Sequence, residues 1–378
     1  MDRLEKEARE REKLHPAAVK SAGSVGRLHP EPESRWRTCF ERDRDRIIHS
    51  SAFRRLEYKT QVFINHVGDH LRTRLTHSLE VNQVSRSLAA ALDLNEPLVE
   101  AVALAHDVGH PPFGHTGEAL LDKRMQGLGG FAHNRQGLRV VELLERRSPD
   151  YPGLNLTGEV RNSLGKHEET TDPGTGERVR QPLLEAQLVD LADSTAYHYH
   201  DVDDGIRSGI LHPAEMAAAL PLWAEAAERT HLRHPDCREA DERLFWLRSA
   251  NEMLGMTIED LQEEALRRLA REDPKNPAEA QRLPRRLIGH SESVGSEVAR
   301  LHRHLYDNFY QLDEVKGRIR RATALLDRVF SELLARPDKV PAHFQEHADC
   351  PERAVCDYVS GMTDRYVERI AADLGVPA

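Results

Sequence analysis

Apolar residues recur at helical rather than alternating spacing over most of this chain. In the stretch 77–94, HSLEVNQVSRSLAAALDL, Leu79, Val84, Leu88 and Leu92 read as one apolar stripe on a helix. The next helix begins near Pro97, a first-turn proline with Asn95 or Glu96 ahead of it. It runs through LVEAVALAHDVG and must stop at Gly109-His110-Pro111-Pro112, because two prolines cannot continue a helix. Further helices are expected to start near His115 and near His133. LLEAQLVDLADSTAYHYH predicts a strong helix up to Asp204-Gly205. The segments 238–271, 291–312, 317–336 and 351–373 continue the helical pattern, punctuated by DPKNP and RPDKVP.

Regular structure is weakest between 146 and 181, where SPDYPG and TTDPGTGERV predict turns or a small hairpin insertion. Residues 1–35 are charged, patternless and interrupted by Pro16, Pro30 and Pro32. They are expected to form a mobile arm, ordered if at all by a partner subunit. The expectation is an all-α protein: a helical catalytic core over 36–215 and a helical C-terminal extension over 216–378 packed on it.

Composition narrows this picture. The 378 residues are 39% hydrophobic and 31% charged, enough apolar material for a core. Lys plus Arg number 53 against 63 Asp plus Glu, a net charge of −10. That argues against a general nucleic-acid or membrane-surface binder, while clusters such as RDRDR leave room for a local basic groove that takes single-stranded DNA. No window holds 18 consecutive apolar residues, and the charged N-terminus has no apolar signal region, so no membrane association is expected. Four cysteines without CxxC spacing fit a reducing, cytoplasmic compartment. Twenty-one histidines direct attention to metal or acid–base chemistry.

Ligand-type residues concentrate in four segments. RTRLTHS carries His77; AHDVGHPPFGHTGE carries His106, Asp107, His110, His115 and Glu118; FAHNRQG carries His133; EAQLVDLADSTAYHYHD carries Asp190, Asp193, Tyr197 and Asp201. His106-Asp107 terminates an apolar helix, so a buried carboxylate there needs a partner or a metal. One further His and one further Asp complete a two-nitrogen, two-oxygen set. Such mixed ligands suit Mn, Fe, Co, Ni or Zn better than a thiolate-preferring metal. Asp190, Asp193, Tyr197 and Asp201 all fall within about 80° of one another at about 100° per residue, so spacing alone does not choose the aspartate.

His77, His106-Asp107 and Asp193 together resemble the HD-domain phosphohydrolases. More narrowly, RDRDRIIHSSAFRRLEYKTQVF, RLTHSLEV, HDVGHPPFGHTGE, FAHNRQ and VDLADSTAY, in that order, resemble the bacterial deoxyguanosine triphosphate triphosphohydrolases. DYVSGMTDRYV near the C-terminus is similar to that family too. The resemblance implies a helical, metal-dependent oligomer, a tetramer or hexamer, that splits a deoxynucleoside triphosphate into deoxynucleoside and inorganic triphosphate. The HD site would hold Mn, Fe, Co or Ni, with Mg accompanying the triphosphate. Some relatives need a second nucleotide as activator.

The resemblance also implies site roles. His77, His106, Asp107 and Asp193 would be metal ligands, Asp193 being favoured over Asp190 because it stands four residues before Tyr197. His115 would be the general acid for the nucleoside 5′-oxygen, held by Glu118 one turn later. His110 and His133 would contact phosphates or the attacking water, or be structural; Asn134 would orient His133. Arg74 would bind the α-phosphate, with Lys166 and Arg207 as weaker candidates. Gln61 would read the sugar 3′-hydroxyl, with Tyr197 and Asp201 beside the substrate. Ser194-Thr195-Ala196 departs from the aliphatic pattern of the family, and His198 and His200 bear on base preference if they line the pocket. A 5′-nucleotidase or phosphodiesterase of the same superfamily, and a nucleotide or single-stranded nucleic-acid sensor, are the alternatives.

Overall fold

A computed structural model of the chain describes residues 1–61, 72–165, 171–310 and 313–376. Its regular elements are helices, and the described residues contain isolated β-bridges but no β-strand. The first half holds α1 (Arg3–Lys13), α2 (Cys39–Ile48), α3 (Ser51–Arg55), α4 (Arg74–Ala91), α5 (Glu96–Ala105), α6 (Gly114–Arg124), α7 (His133–Arg139), α8 (Gly158–Leu164) and α9 (Leu184–Arg207). The second half holds α10 (Pro213–Ala219), α11 (Pro221–Arg233), α12 (Cys237–Ala240), α13 (Glu242–Glu272), α14 (Pro277–Arg282) and α15 (Glu292–Leu305). It ends with α16 (Asp313–Ala335), α17 (Ala342–Glu346), α18 (Pro351–Ser360) and α19 (Asp364–Leu374). None of the helices, over the described residues, is long and apolar enough to cross a membrane.

Local chemistry sets the boundaries that matter for the site. Thr73 caps α4: its side chain accepts the Thr76 N–H, and Thr76 Oγ1 accepts the Thr73 N–H in return. Asn95 caps α5 through the Leu98 N–H at 3.1 Å, with Pro97 in the first turn. After α5 the chain turns through the two prolines into Phe113 and Gly114, both left-handed at φ +62° and +60°. A non-glycine residue in that region is strained and needs its surroundings to hold it. Here the Phe113 N–H donates to Asp364 Oδ1 at 3.0 Å, so the first residue of α19 anchors the loop.

Three apolar cores form among the described residues. α2, α4, α5 and the first part of α9 build the largest, around Phe40, Val84, Leu98, Val102 and Leu188. α6 joins α16, α18 and α19 in a second, through Phe113, Leu121, Met125, Leu326 and Phe330. The end of α9 runs into a third with α10, α11, α13 and α15, around Trp223, Phe245 and Phe309. α6 and the end of α9 thus share cores with C-terminal helices.

Several expectations need correction. The segment 1–35, expected as a mobile arm, folds onto the largest core. α1 carries a capping box of Asp2 and Glu5, and Ala17, Ala18 and Val19 are buried. Buried Glu185 accepts the Val19 N–H at 2.9 Å, and Arg27 pairs with buried Asp43. Charge hid three small apolar residues that only tertiary packing makes decisive. Leu79 is 49% exposed, and Val81 takes its place on the buried face. Five residues separate Leu79 from Val84, about 140° around the helix. α8 lies within the segment expected to be turns, and 351–373 is two helices broken at Gly361. The four cysteines are unpaired.

Candidate active site

A cavity of about 300 Å³ opens where α4, the α5–α6 loop, α7, α9 and α15 meet, lined by Gln61, Arg74, His77, His106, Asp107 and Asp193 and the residues below. Two clusters of metal-ligand type face it. The first is His77, His106 and Asp193, whose ligand atoms all lie within 4.8 Å of one another. Asp193 Oδ1 is 3.0 Å from His77 Nε2 and 3.5 Å from His106 Nε2. The His106 Nδ1–H donates to the Ala103 carbonyl at 2.6 Å, so its Nε2 lone pair points inward. Two inward nitrogens and a carboxylate oxygen suit a divalent first-row metal.

Asp107 stands at the edge of this set and joins it to the second. Its Oδ1 is 3.3 Å from His106 Nε2 and 3.0 Å from His110 Nδ1, while Oδ2 accepts from Arg74 Nη1 at 2.9 Å. Burial alone would raise the Asp107 pKa, but His106, His110 and Arg74 outweigh it and hold the carboxyl well below the usual range. Asp190 is directed elsewhere, 3.3 Å from Arg286, and does not line the cavity.

The second cluster is His110, Glu118 and His133. The His110 and His133 rings stack with centroids 3.8 Å apart. Glu118 Oε1 is 2.8 Å from His133 Nδ1 and accepts the His133 N–H at 2.8 Å; Oε2 faces His115 Nδ1 at 3.4 Å. Burial again opposes ionisation of Glu118, but its bonds to His115 and His133 pull its pKa well below normal. His110 is pushed well down by burial and then by the Arg74 charge, so it is a neutral imidazole. His115 is 68% exposed at the rim.

Arg74 is 2% exposed and its Nε has no hydrogen-bond partner, so it keeps donors beyond the one given to Asp107. Gln61 Oε1 is likewise buried without a partner. Tyr197 lines the cavity and bonds to Asp201, which is buried behind it. Burial and then Asp204 push the Asp201 carboxyl well up. Asn134 also lines the cavity. Arg207 pairs with Asp203 at 2.9 Å and is not brought to the cavity. Lys166 lies outside the described residues.

Some contributors were not legible beforehand. His302 of α15 reaches the cavity wall and meets His198 at 3.2 Å, with nothing in the sequence to pair them. Lys59, fully buried, donates to the His110 carbonyl at 2.5 Å and the Ser360 carbonyl at 2.9 Å. Asp364 accepts the N–H groups of both Phe113 and Thr60. These two charged residues stand within KTQVF and DYVSGMTDRYV, the motifs whose resemblance carried no role for them.

An HD-domain profile matches residues 74–198, and a phosphohydrolase-associated domain profile matches 288–373. A deoxyguanosinetriphosphate triphosphohydrolase-like protein of Geobacter sulfurreducens is 43% identical over 364 residues, covering 94% of both chains. The chain belongs to the deoxyguanosinetriphosphate triphosphohydrolase-like family. A second relative of that description, from Deinococcus radiodurans, is 44% identical over 369 residues, 96% of each chain, and one from Ralstonia pickettii is 44% identical over 362. This triphosphohydrolase-like chain is therefore a metal-dependent phosphohydrolase, and the candidate ligands His77, His106, Asp107 and Asp193 all fall inside its HD segment. His302, Lys59's partner Ser360 and Asp364 belong to the phosphohydrolase-associated segment, which reaches both the cavity and the loop that carries His110.

Proposed function

We propose that the protein hydrolyses deoxynucleoside triphosphates to deoxynucleoside and inorganic triphosphate. The observation that carries the reading is the side-by-side placement of a metal-type set and an acid–base set in one cavity, joined through Asp107. His77, His106, Asp107 and Asp193 would hold the metal, Mn, Fe, Co or Ni, with Mg on the triphosphate. When bound, the metal supplies a water acidic enough to act as a nucleophile near neutral pH.

The chain's own groups do the rest. Arg74 binds the α-phosphate with the donors that Asp107 leaves over, and its burial strengthens the interaction. His115 donates a proton to the departing 5′-oxygen, and Glu118, 3.4 Å from its Nδ1, holds the ring in place. Glu118 fixes His133 with its other oxygen, and His133 stacks on neutral His110 along the phosphate side. Gln61, Tyr197 and Asp201 form the sugar-reading wall, where an unsatisfied buried Gln61 oxygen awaits a hydroxyl donor. In this reading residues 36–215 are the catalytic core and 216–378 its helical companion.

The test is incubation with Mn or Mg and each deoxynucleoside triphosphate, singly and mixed, with chromatography of the products. Deoxynucleoside plus inorganic triphosphate is the expected result, and turnover only in the mixture would identify a nucleotide activator. Monophosphate plus pyrophosphate would show a different bond cut and remove His115 from its role. No turnover, with single-stranded DNA bound in a salt-dependent way, would favour the sensor. Native mass measurement tests the expected tetramer or hexamer.

A further inference from the structure

His77 is held from behind by a second imidazole. His77 Nδ1 lies 3.2 Å from His200 Nδ1, and His200 is 2% exposed. The other His200 nitrogen, Nε2, lies against Glu80 Oε2. Glu80 also faces Arg72 Nε at 3.3 Å, and Arg72 pairs with Asp203 and Asp204 at 2.8 Å each. Glu80 is one turn after His77 on α4 and His200 is on α9, so the chain of contacts spans the two helices that carry His77 and Asp193.

Hydrogen-bond bookkeeping decides where the protons sit. A neutral imidazole has one N–H and one lone pair. The Glu80 carboxylate only accepts, so His200 must place its N–H on Nε2. His200 Nδ1 is then a lone pair, which requires the N–H of His77 to be on Nδ1. That leaves the lone pair of His77 on Nε2, the nitrogen facing Asp193 and His106. The opposite arrangement would set a lone pair of His200 against a carboxylate.

We propose that Glu80 and His200 are positioning residues that select the metal-binding tautomer of His77 through a two-imidazole relay. The inference rests on the reading of His77 as a metal ligand. His106 reaches the same end more simply, through the Ala103 carbonyl. A carboxylate or carbonyl behind a ligating histidine is the usual device; here it acts one ring further away, because His200 occupies the space between.

The experiment titrates Mn²⁺ into metal-stripped full-length protein by calorimetry. Glu80→Ala and His200→Ala should weaken binding by about 10–100-fold, the usual cost of losing a partner behind a metal ligand. Glu80→Gln should stay within a few-fold of wild type, since its amide oxygen still accepts from His200. Two-bond ¹H–¹⁵N spectra of the metal-free proteins should show the His77 proton on Nδ1 in wild type and Glu80→Gln, and on Nε2 or exchanging in Glu80→Ala. A merely structural role would lower the melting temperature without moving that signal. Wild-type affinity in Glu80→Ala, or equal loss in Glu80→Gln, overturns the relay alone. Failure of the wild-type protein to bind Mn²⁺ would overturn the metal-site reading with it.

Discussion

Gly109 offers the sharpest test of how the site is held. It sits between His106-Asp107 and His110, where the α5–α6 loop presses against α7. A methyl group added there would stand 2.1 Å from Gly137 N and 2.1 Å from His133 O, both backbone atoms. No side chain can rotate away. The gap must open from 2.1 Å to about 3.4 Å for ordinary contact, a shift of about 1.3 Å between loop and helix. His110 rides on the loop and His133 opens α7, and their rings are 3.8 Å apart. Gly109→Ala should therefore part the stacked pair and draw Glu118 away with His133. Displacement of a catalytic group by about 1 Å costs on the order of 100-fold in rate. Overpacking of this kind costs about 1–3 kcal/mol of stability. The assay is kcat for triphosphate release with saturating Mn²⁺, alongside thermal melting. Gly255→Ala is the control, because nothing lies within 4 Å of its added methyl in the middle of α13. It should keep full activity and melt no lower. Wild-type kcat and melting temperature in Gly109→Ala would refute the reasoning.

His106→Ala and Asp193→Ala should each lose stoichiometric Mn²⁺ and nearly all turnover while keeping wild-type circular dichroism; retained metal in either would remove that ligand. His115→Ala should lower kcat by about 10²–10⁴-fold with little change in KM, as expected of a general acid, and a pure KM effect would return His115 to a binding role. Buried Glu185 has its pKa raised to about 7, chiefly by burial, against 4.5 unperturbed. The folded state then holds a proton that the unfolded state has lost, so stability falls as pH rises from about 4.5 to about 7 and levels above it, by about 3 kcal/mol for this group. Glu185→Gln should flatten that slope in denaturant melts between pH 4.5 and 7.5, and an unchanged slope would show that other groups set it. Lys59→Met should lose about 2 kcal/mol or more, because the His110 and Ser360 carbonyls are left buried without their donor, and urea melts check it.

Much of the architecture was legible because helices announce themselves locally. The starts of α6 and α7 near His115 and His133 follow from spacing within a few residues, whereas α5 ends at Ala105, ahead of the expected stop at Gly109-His110-Pro111-Pro112. The long ordered motifs were equally local, and they carried the resemblance to the family. Leu79 falls off the buried stripe because a five-residue step to Val84 turns about 140° around the helix.

What the sequence by itself determined is therefore the helical class, the family and the inventory of ligand-type residues. Tertiary structure decided which of them meet. Asp190 and Asp193 share a helix face at the resolution of spacing, and only packing turned one to Arg286 and the other to His77 and His106. His200 became the back support of His77, and His302 a wall of the cavity, through contacts 123 and 104 residues apart in the chain. Lys59 and Asp364 look like surface charges until the loop between α5 and α6 requires an anchor for its left-handed turn. The physical reason is common to all of these. Helix formation is settled by neighbours within one turn, whereas burial of a charge is stable only beside a partner, and that partner is supplied by whichever distant helix the cores bring to it.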